Sequence, residues 1–546
     1  TYSVWGGNMA YFFNCASDNY PPNATCLAGT GLALADIENG DFHPAPGSIC
    51  IDAGAASAAP EATDLDGRAR IQGTGIDIGA YELDPTRFAC GFSTDAREAF
   101  APCTITLTAS VTGVPESDPI SYCWVVKSGD TVLTGPDAAT FSTTYTTPGY
   151  YDVTLYVTNT TTGQGTSART DSLFAVGAKT LYVVDANTNS AYPYHTWANA
   201  AANIQTAIDS ALAGAEIIVS NGTYLLASQI LIEKPLDVHG LTGDPRDVVV
   251  KRNPSPSSLR TRILELNART DARVHGLTLS DGLPSGTSGG NVYIYNRGGI
   301  VSNCVIRNGF VDGKWIHGGG FAIDTANGLI THCVITNNSA RTGSNGGSMS
   351  GNAGDVRGGR LEHSLIARNV HNPGWNYAYR NTLLLTAGAI RFCTITDNTS
   401  TNVAGVNVLG GTVEYCIIAG NQSARGGNLA VFGTETYIYN AADPYAESCF
   451  KPTPSLSNNF VNCISDVCTI NGTCRQATVG ELFVNFGNGD YRHRRTSPAV
   501  DVLEPGDVSA MPLADLDNRP RLDHHLYDLG CYEAVYIRPN TILILR

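Results

Sequence analysis

The 546-residue chain has little charge and few of the residues that favour long helices. Asp, Glu, Lys and Arg make up 15% of it, Met occurs three times, and Lys six times against 28 Arg. Heptads and long helices are thereby excluded as the main architecture. Basic runs interleaved with aromatics are missing and the formal net charge is -15, so the surface repels a phosphate backbone and nucleic acid is excluded as a partner. No stretch approaches the ~18 apolar residues that span a bilayer, the longest candidate being the short run Ile542 to Leu545, and no membrane insertion is expected. C-x-x-C and Cys/His zinc spacings are absent as well, although the chain holds 15 cysteines. That combination fits an oxidising compartment, and a secreted, extracellular or cell-surface location is the expectation. Thr1 opens with neither Met nor a charged-then-apolar leader, which reads as a processed mature form or a piece of something longer.

Gly, Asn, Thr and Ser fill the polar places, a turn-rich β composition. The most specific pattern is an internal repeat between the two ends of the chain. Asn14-Cys15 and Cys26 match Asn462-Cys463 and Cys474, with both cysteine pairs 11 residues apart. The match continues through Asn39-Gly-Asp41-Phe42 against Asn488-Gly-Asp490-Tyr491, and Ser48 to Asp52 against Ser497 to Asp501. After a two-residue slip, Asp64-Leu-Asp66-Gly-Arg-Ala-Arg70 matches Asp515-Leu-Asp517-Asn-Arg-Pro-Arg521, and Asp77 to Glu82 matches Asp528 to Glu533.

These motifs resemble the choice-of-anchor Q domain, which closes parallel β-helices of secreted bacterial proteins. The resemblance implies a first tail over residues 1–88 and a second over 449–536. Between them, Tyr122-Cys-Trp124 and the segment Tyr145 to Asn159 resemble a PKD domain over residues 89–177, an immunoglobulin-like β-sandwich. Val153, Leu155 and Val157 alternate there as in a half-buried strand. The Asp- and Gly-rich turn usual after the Trp is replaced by Val125-Val126-Lys127, so the resemblance carries no carbohydrate-binding role from that turn.

Residues 178–448 resemble a right-handed parallel β-helix of the pectin-lyase-like type. A motif apolar-x-apolar-x-Asn/Asp-Gly/Asn recurs, as in Cys304-Val-Ile306-Arg-Asn308-Gly309 and Cys333-Val-Ile335-Thr-Asn337-Asn338, with coil spacings of 27, 29, 31, 29 and 23 residues. Ile204, Ala207, Ile208, Ala211 and Leu212 trace an amphipathic helix ending at Gly214 that would cap the first coil. The expected fold class is therefore all-β: a right-handed parallel β-helix solenoid plus an immunoglobulin-like β-sandwich. Residues 537–546 read as one exposed C-terminal strand that needs a partner.

Cys304, Cys333, Cys393 and Cys416 recur at one inward position, with Ser364 completing the column, and read as a core ladder. Cys15 with Cys26, Cys463 with Cys474, Cys90 with Cys103 and Cys449 with Cys468 are disulfide candidates. Cys50 and Cys531 each stand where the other tail has Ala, and read either as an interchain link or as two inert buried thiols. Asp64, Asp66, Asp515 and Asp517 read either as oxygen ligands for Ca²⁺, the one cofactor considered, or as turn-capping carboxylates.

A β-helix enzyme needs converging carboxylates or an Arg or Lys base beside bound Ca²⁺. The alignable outward positions, Thr278, Val305, Val334, Leu365, Thr394 and Ile417 among them, hold no acid. His332 and His363 stand just before their strands without an acid partner, while Asp312, Asp324 and Asp355 lie with Trp315 and His317 near Gly-rich loops that cannot be aligned. The leading expectation is an extracellular structural or adhesive repeat protein that assembles with itself head to tail into a filament or sheath. The alternative is a polysaccharide lyase or glycoside hydrolase, or a protein that binds a polysaccharide or cell-surface glycan.

Overall fold

Short apolar strands separated by tight corners build most of the chain. The computed structural model describes residues 16–17, 27–28, 34–36, 41–54, 62–71, 73–84, 86–268, 271–313, 316–342, 350–370, 380–400, 403–423, 429–431, 459–466, 472–504, 514–521 and 526–534. Cys15, Cys26, Cys449, Cys468, Trp315 and the C-terminal strand expected over 537–546 lie outside them. The chain divides into two compact units, residues 1–179 and 180–546.

In the first unit two sheets face each other. One holds Thr140–Tyr145, Cys103–Thr112 and Ala89–Thr94; the other orders Glu98–Phe100, Gly165–Gly177, Gly149–Asn159, Ile120–Ser128 and Thr131–Thr134. Every pairing is antiparallel except that of Glu98–Phe100 with Gly165–Gly177. Val153, Leu155 and Val157 alternate inward and are fully buried, as period-2 patterning requires. Trp124 sits at the centre, edge-on to Phe92 with centroids 5.8 Å apart, and its indole N–H is satisfied by Ala138 O at 2.9 Å. Val125 to Lys127 lie within a strand, so the chain runs straight through the place where a turn after the Trp would stand.

The second unit is a parallel β-helix. Its three sheets hold ten, ten and eight parallel strands, visited in turn by each coil: for example Gly299–Ser302, Val305–Arg307 and Phe321–Ile323, then Gly328–Thr331, Val334–Thr336 and Ser350–Val356. The helix at its start spans Ile204–Ser210, with Asn203 Oδ1 capping Thr206 N. It is shorter than the apolar spacing suggests, because the backbone turns extended at Ala211.

Two corners hold the coils in register. The first carries a left-handed residue just before six successive strands of the second sheet: Asn303, His332, His363, Phe392, Tyr415 and Asn462, with φ between 46 and 58°. Bulky residues seldom adopt this conformation, and stacking offsets its cost here: the rings of His332, His363, Phe392 and Tyr415 lie 5.1, 4.8 and 4.8 Å apart in succession. At the second corner runs a buried asparagine ladder. Asn338, Asn369 and Asn398 each donate Nδ2 to a carbonyl one coil back at 2.9 Å and to the Oδ1 of the next asparagine, Asn369, Asn398 and Asn421, at 2.8–3.0 Å. The ladder satisfies backbone and side-chain groups together where water cannot reach. Its sequence signal is an Asn five residues after each of Cys333, Ser364, Cys393 and Cys416.

Candidate functional site

The second tail lies along the outer face of the second sheet. Its internal frame is a set of carboxylates that cap turns. Asp515 Oδ1 accepts from Asp517 N and Arg519 N at 2.9 and 2.7 Å, and its Oδ2 accepts from Glu533 N at 2.9 Å. Asp528 accepts from Asp501 N at 2.8 Å and Ala534 N at 2.7 Å. This scaffold holds Arg521, whose Nη1 lies 3.3 Å from Glu533 Oε1 and whose Nη2 donates to Gly530 O at 3.1 Å.

From that frame the tail reaches the coils. Gly530 N donates to Tyr415 O at 2.9 Å, and Cys531 N donates to Thr394 Oγ1 at 3.2 Å. The Arg521 guanidinium stands 5.6 Å from the Phe392 ring centroid, a cation–π contact with the corner column. Only glycine fits at 530: φ is +81° and a Cβ there would lie 2.6 Å from Thr394 Oγ1. Leu365, Ile417 and Ile464 of the sheet pack with Phe483, Leu503 and Leu529 of the tail in one buried cluster. The acid-free outward column of the second sheet is therefore a covered apolar face. His332 and His363 belong to the same interface, with burial holding both imidazoles below their ordinary pKa and the Arg521 charge adding to the effect.

The first tail repeats the carboxylate and arginine bonds of this frame. Asp64 accepts from Asp66 N, Arg68 N and Glu82 N at 3.0, 2.8 and 3.1 Å, while Arg70 Nη1 lies 3.3 Å from Glu82 Oε1 and Nη2 donates to Gly79 O at 3.0 Å. What differs is cover. The Arg521 side chain is 1% exposed and that of Arg70 18%; Tyr491 is 4% exposed and its counterpart Phe42 52%. Leu65 and Ile71 are also exposed, and a Cβ on Gly79 would meet nothing within 4 Å. Burial and neighbouring charge report the same contrast: desolvation lifts the Glu533 carboxyl to about 9 but Glu82 only to about 6. Arg70 and Arg521 are the residues of this frame that the motif comparison does not single out. Their signal is their fixed place at the end of the repeated Asp64-to-Arg70 and Asp515-to-Arg521 segments.

The opposite side of the first tail packs on the sandwich of its own unit. Ser110 Oγ donates to Pro46 O at 2.7 Å, and a Cβ on Gly91 would fall 2.0 Å from that oxygen. Phe42, Leu65, Ile71 and Gly79 stay open.

The cysteine readings divide. All eleven described cysteines are free thiols. Cys304, Cys333, Cys393 and Cys416 lie at one buried inward position of successive coils, and Cys463 and Cys474 continue the column on neighbouring rungs. Each Sγ donates to a nearby backbone carbonyl, as Cys463 does to Val413 O at 3.3 Å, and burial raises the thiols of Cys333, Cys416 and Cys463 well above their ordinary pKa. The pair expected as Cys90–Cys103 is replaced by free thiols, because Cys90 lies across from Val111 and Cys103 from Tyr145. Cys50 and Cys531 are both buried, Cys531 beneath the tail against Thr394, which leaves no accessible sulfur for the interchain link considered above.

Asp64 and Asp515 have their carboxylates engaged by backbone N–H groups, and Asp66 and Asp517 lie within 3.4 Å and 3.3 Å of Arg68 and Arg519. Among the described residues no three His, Cys, Asp or Glu side chains converge as a metal site. Asp312 lies in Phe310–Gly313, which pairs with Ser339–Thr342, whereas Asp324 and Asp355 stand with Glu265 at the third sheet, where the register runs Glu265, Tyr293, Ala322, Asp355. Each of the third-sheet acids has a basic neighbour: Arg262 on Glu265, Arg357 on Asp324 at 3.4 Å, and His317 Nδ1 on Asp355 Oδ2 at 3.1 Å. Glu265 and Asp355 are three rungs apart, roughly 14 Å, while Asp324 stands on the rung next to Asp355 and accepts from the Tyr293 hydroxyl at 2.9 Å. Tyr293 and Tyr295 stack at 4.9 Å beside Arg262.

The architecture defines a parallel β-helix protein with an immunoglobulin-like module. Residues 96–171 match the PKD domain, which points to an adhesion-like or surface role outside the cell. No curated protein and no solved structure matches the chain. No helix among the described residues is long and apolar enough to cross a membrane.

Proposed function

We propose that the chain is an extracellular, cell-surface structural and adhesive protein in which β-helix units are joined end to end through the duplicated tail. One observation carries this: the same motif occurs twice with the same internal bonds, closed on a coil stack in one copy and open in the other. The PKD match and the resemblance of both tails to domains that close secreted β-helices support it. Filament- or sheath-like strings are the functional form.

Electron microscopy of purified native material, with and without reductant, tests the reading. Strings of rods in series that survive reductant are expected, since Cys50 and Cys531 are buried. Dispersed single particles would sink it. A second reading, a carbohydrate-binding or carbohydrate-active β-helix, draws on the stacked Tyr293–Tyr295 pair flanked by Glu265 and Arg262, a combination suited to a sugar ring. Retention on acidic polysaccharide that is lost in Tyr293→Ala would favour it.

A further inference from the structure

The open face of the first tail has a recognisable partner, and naming it rests on the end-to-end reading above. We infer that this face receives the last coils of a second parallel β-helix lying ahead of Ala16 in the same polypeptide, so that the repeating unit is β-helix, tail, sandwich.

The second tail supplies the template. There a glycine N–H meets a corner carbonyl, the next N–H meets a threonine hydroxyl, and the arginine covers a corner ring, through Gly530, Cys531 and Arg521. Gly79, Ala80 and Arg70 hold the same stations on the same frame, and Phe42, Leu65 and Ile71 expose apolar surface around them. A ligand that fits must offer an aromatic or imidazole column in left-handed corners and a row of Thr, Leu and Ile beside it. That is the outer face of a coil stack of this kind.

The strand edge points the same way. Ala16–Ser17 pairs in parallel with Leu27–Ala28, as Ile464–Ser465 does with Arg475–Gln476. Ile464–Ser465 also has Ile417–Ile418 on its other side, whereas among the described residues Ala16–Ser17 forms a two-stranded sheet with nothing beyond it. A β-helix is wound by one chain, so the coil under a given coil is the sequence that precedes it. Phe12-Phe13-Asn14-Cys15 also repeats Phe460-Val461-Asn462-Cys463, the run that enters the last coils of the second unit. A second copy of this chain fails as the occupant. Each copy carries one coil stack and two tails, and the tethered second tail already covers that stack.

The test is a fusion in which residues 178–459 are placed ahead of residues 12–546, giving the first tail a coil stack to close while the rest of the chain is unchanged. Amide hydrogen exchange is read in peptides covering residues 73–84. Exchange slower by about tenfold or more than in the 546-residue chain is expected, and Gly79→Val should abolish the slowing in the fusion while leaving the shorter chain unaltered. Unchanged exchange, or a fused coil stack that is digested by protease while residues 180–504 of the same molecule resist, overturns the inference. Slowed exchange in the 546-residue chain that appears only with rising concentration, together with a dimer by sedimentation, would assign the face to a second copy and overturn it equally. Microscopy without strings would count against the end-to-end reading of the native material, while the exchange result reports docking alone.

Discussion

Tyr491 donates its hydroxyl to Asp397 Oδ2 at 2.6 Å, fastening the second tail to a corner residue 94 positions earlier in the chain. Phe42 holds the same station in the first tail, without a hydroxyl and open to solvent. Tyr491→Phe should therefore cost about 1 kcal/mol of tail attachment, read as a lowered midpoint of thermal unfolding and earlier proteolysis after residue 466. Phe42→Tyr should change stability by less than about 0.5 kcal/mol. A neutral Tyr491→Phe would mean that the tail is held by apolar burial alone.

Arg521→Ala removes the partner of a buried carboxyl group and the cation over Phe392. The expected cost is about 1–3 kcal/mol, because the buried Glu533 carboxyl and Gly530 O lose their donor. Arg70→Ala, at the same place in the open tail, should cost less than about 1 kcal/mol. Equal effects of the two substitutions in urea unfolding would show that cover by the coils is not what distinguishes the tails.

Attachment of the second tail should depend on pH. The Glu533 carboxyl is raised from 4.5 to about 9, chiefly by burial, so between these values the unfolded state has released a proton that the folded state keeps. Stability is then greatest below pH 4.5 on account of this group and falls as the pH rises towards about 9. Glu533→Gln should flatten the unfolding midpoint over that window. For Glu82 the corresponding window closes at about 6, so Glu82→Gln should leave the pH dependence of the midpoint above neutrality unchanged.

In the asparagine ladder, Asn369 Oδ1 accepts from both Asn338 N and Asn338 Nδ2, each at 3.0 Å. Asn369→Ala orphans these donors inside the coil and should destabilise the β-helix by about 1–3 kcal/mol. A loss below about 0.5 kcal/mol in calorimetry would show that water replaces the side chain.

Thiol accessibility separates the cysteines. Cys123 is the one exposed thiol among the described residues, on the solvent side of the sandwich, whereas Cys333, Cys393, Cys416 and Cys463 are fully buried. Maleimide labelling of the native chain followed by peptide mapping should modify Cys123 within minutes and the ladder only after denaturation. Early modification of Cys393 would place that column at a surface.

The coils are legible in the sequence because inward Val, Ile and Cys return at similar intervals and their corners demand Asn, Asp or Gly. The sandwich is legible through Val153, Leu155 and Val157 for the same reason. The pairing of cysteines is not: Cys463 and Cys474 are 11 residues apart, and that separation describes a short loop closed by a disulfide as well as it describes two successive rungs. The site was half legible, since repeating Asp64 to Arg70 as Asp515 to Arg521 marks the tails, while nothing local to either copy says that one is covered. That depends on Phe392, Thr394 and Tyr415, which stand more than a hundred residues from Arg521 and take their places only once the coils have stacked. The third-sheet acids were hidden for a related reason: Asp324 and Asp355 enter register through loops of unequal length.

The two corners have a consequence for how such a chain can change. From Arg273–His275 onward the turn between the strands of the first and second sheets is short and left-handed, and the asparagine ladder fixes the next bend, while differences in coil length fall on the remaining arc. Variation there is mechanically uncoupled from the spine. A fold of this construction can exchange the loops of that arc without renegotiating its core.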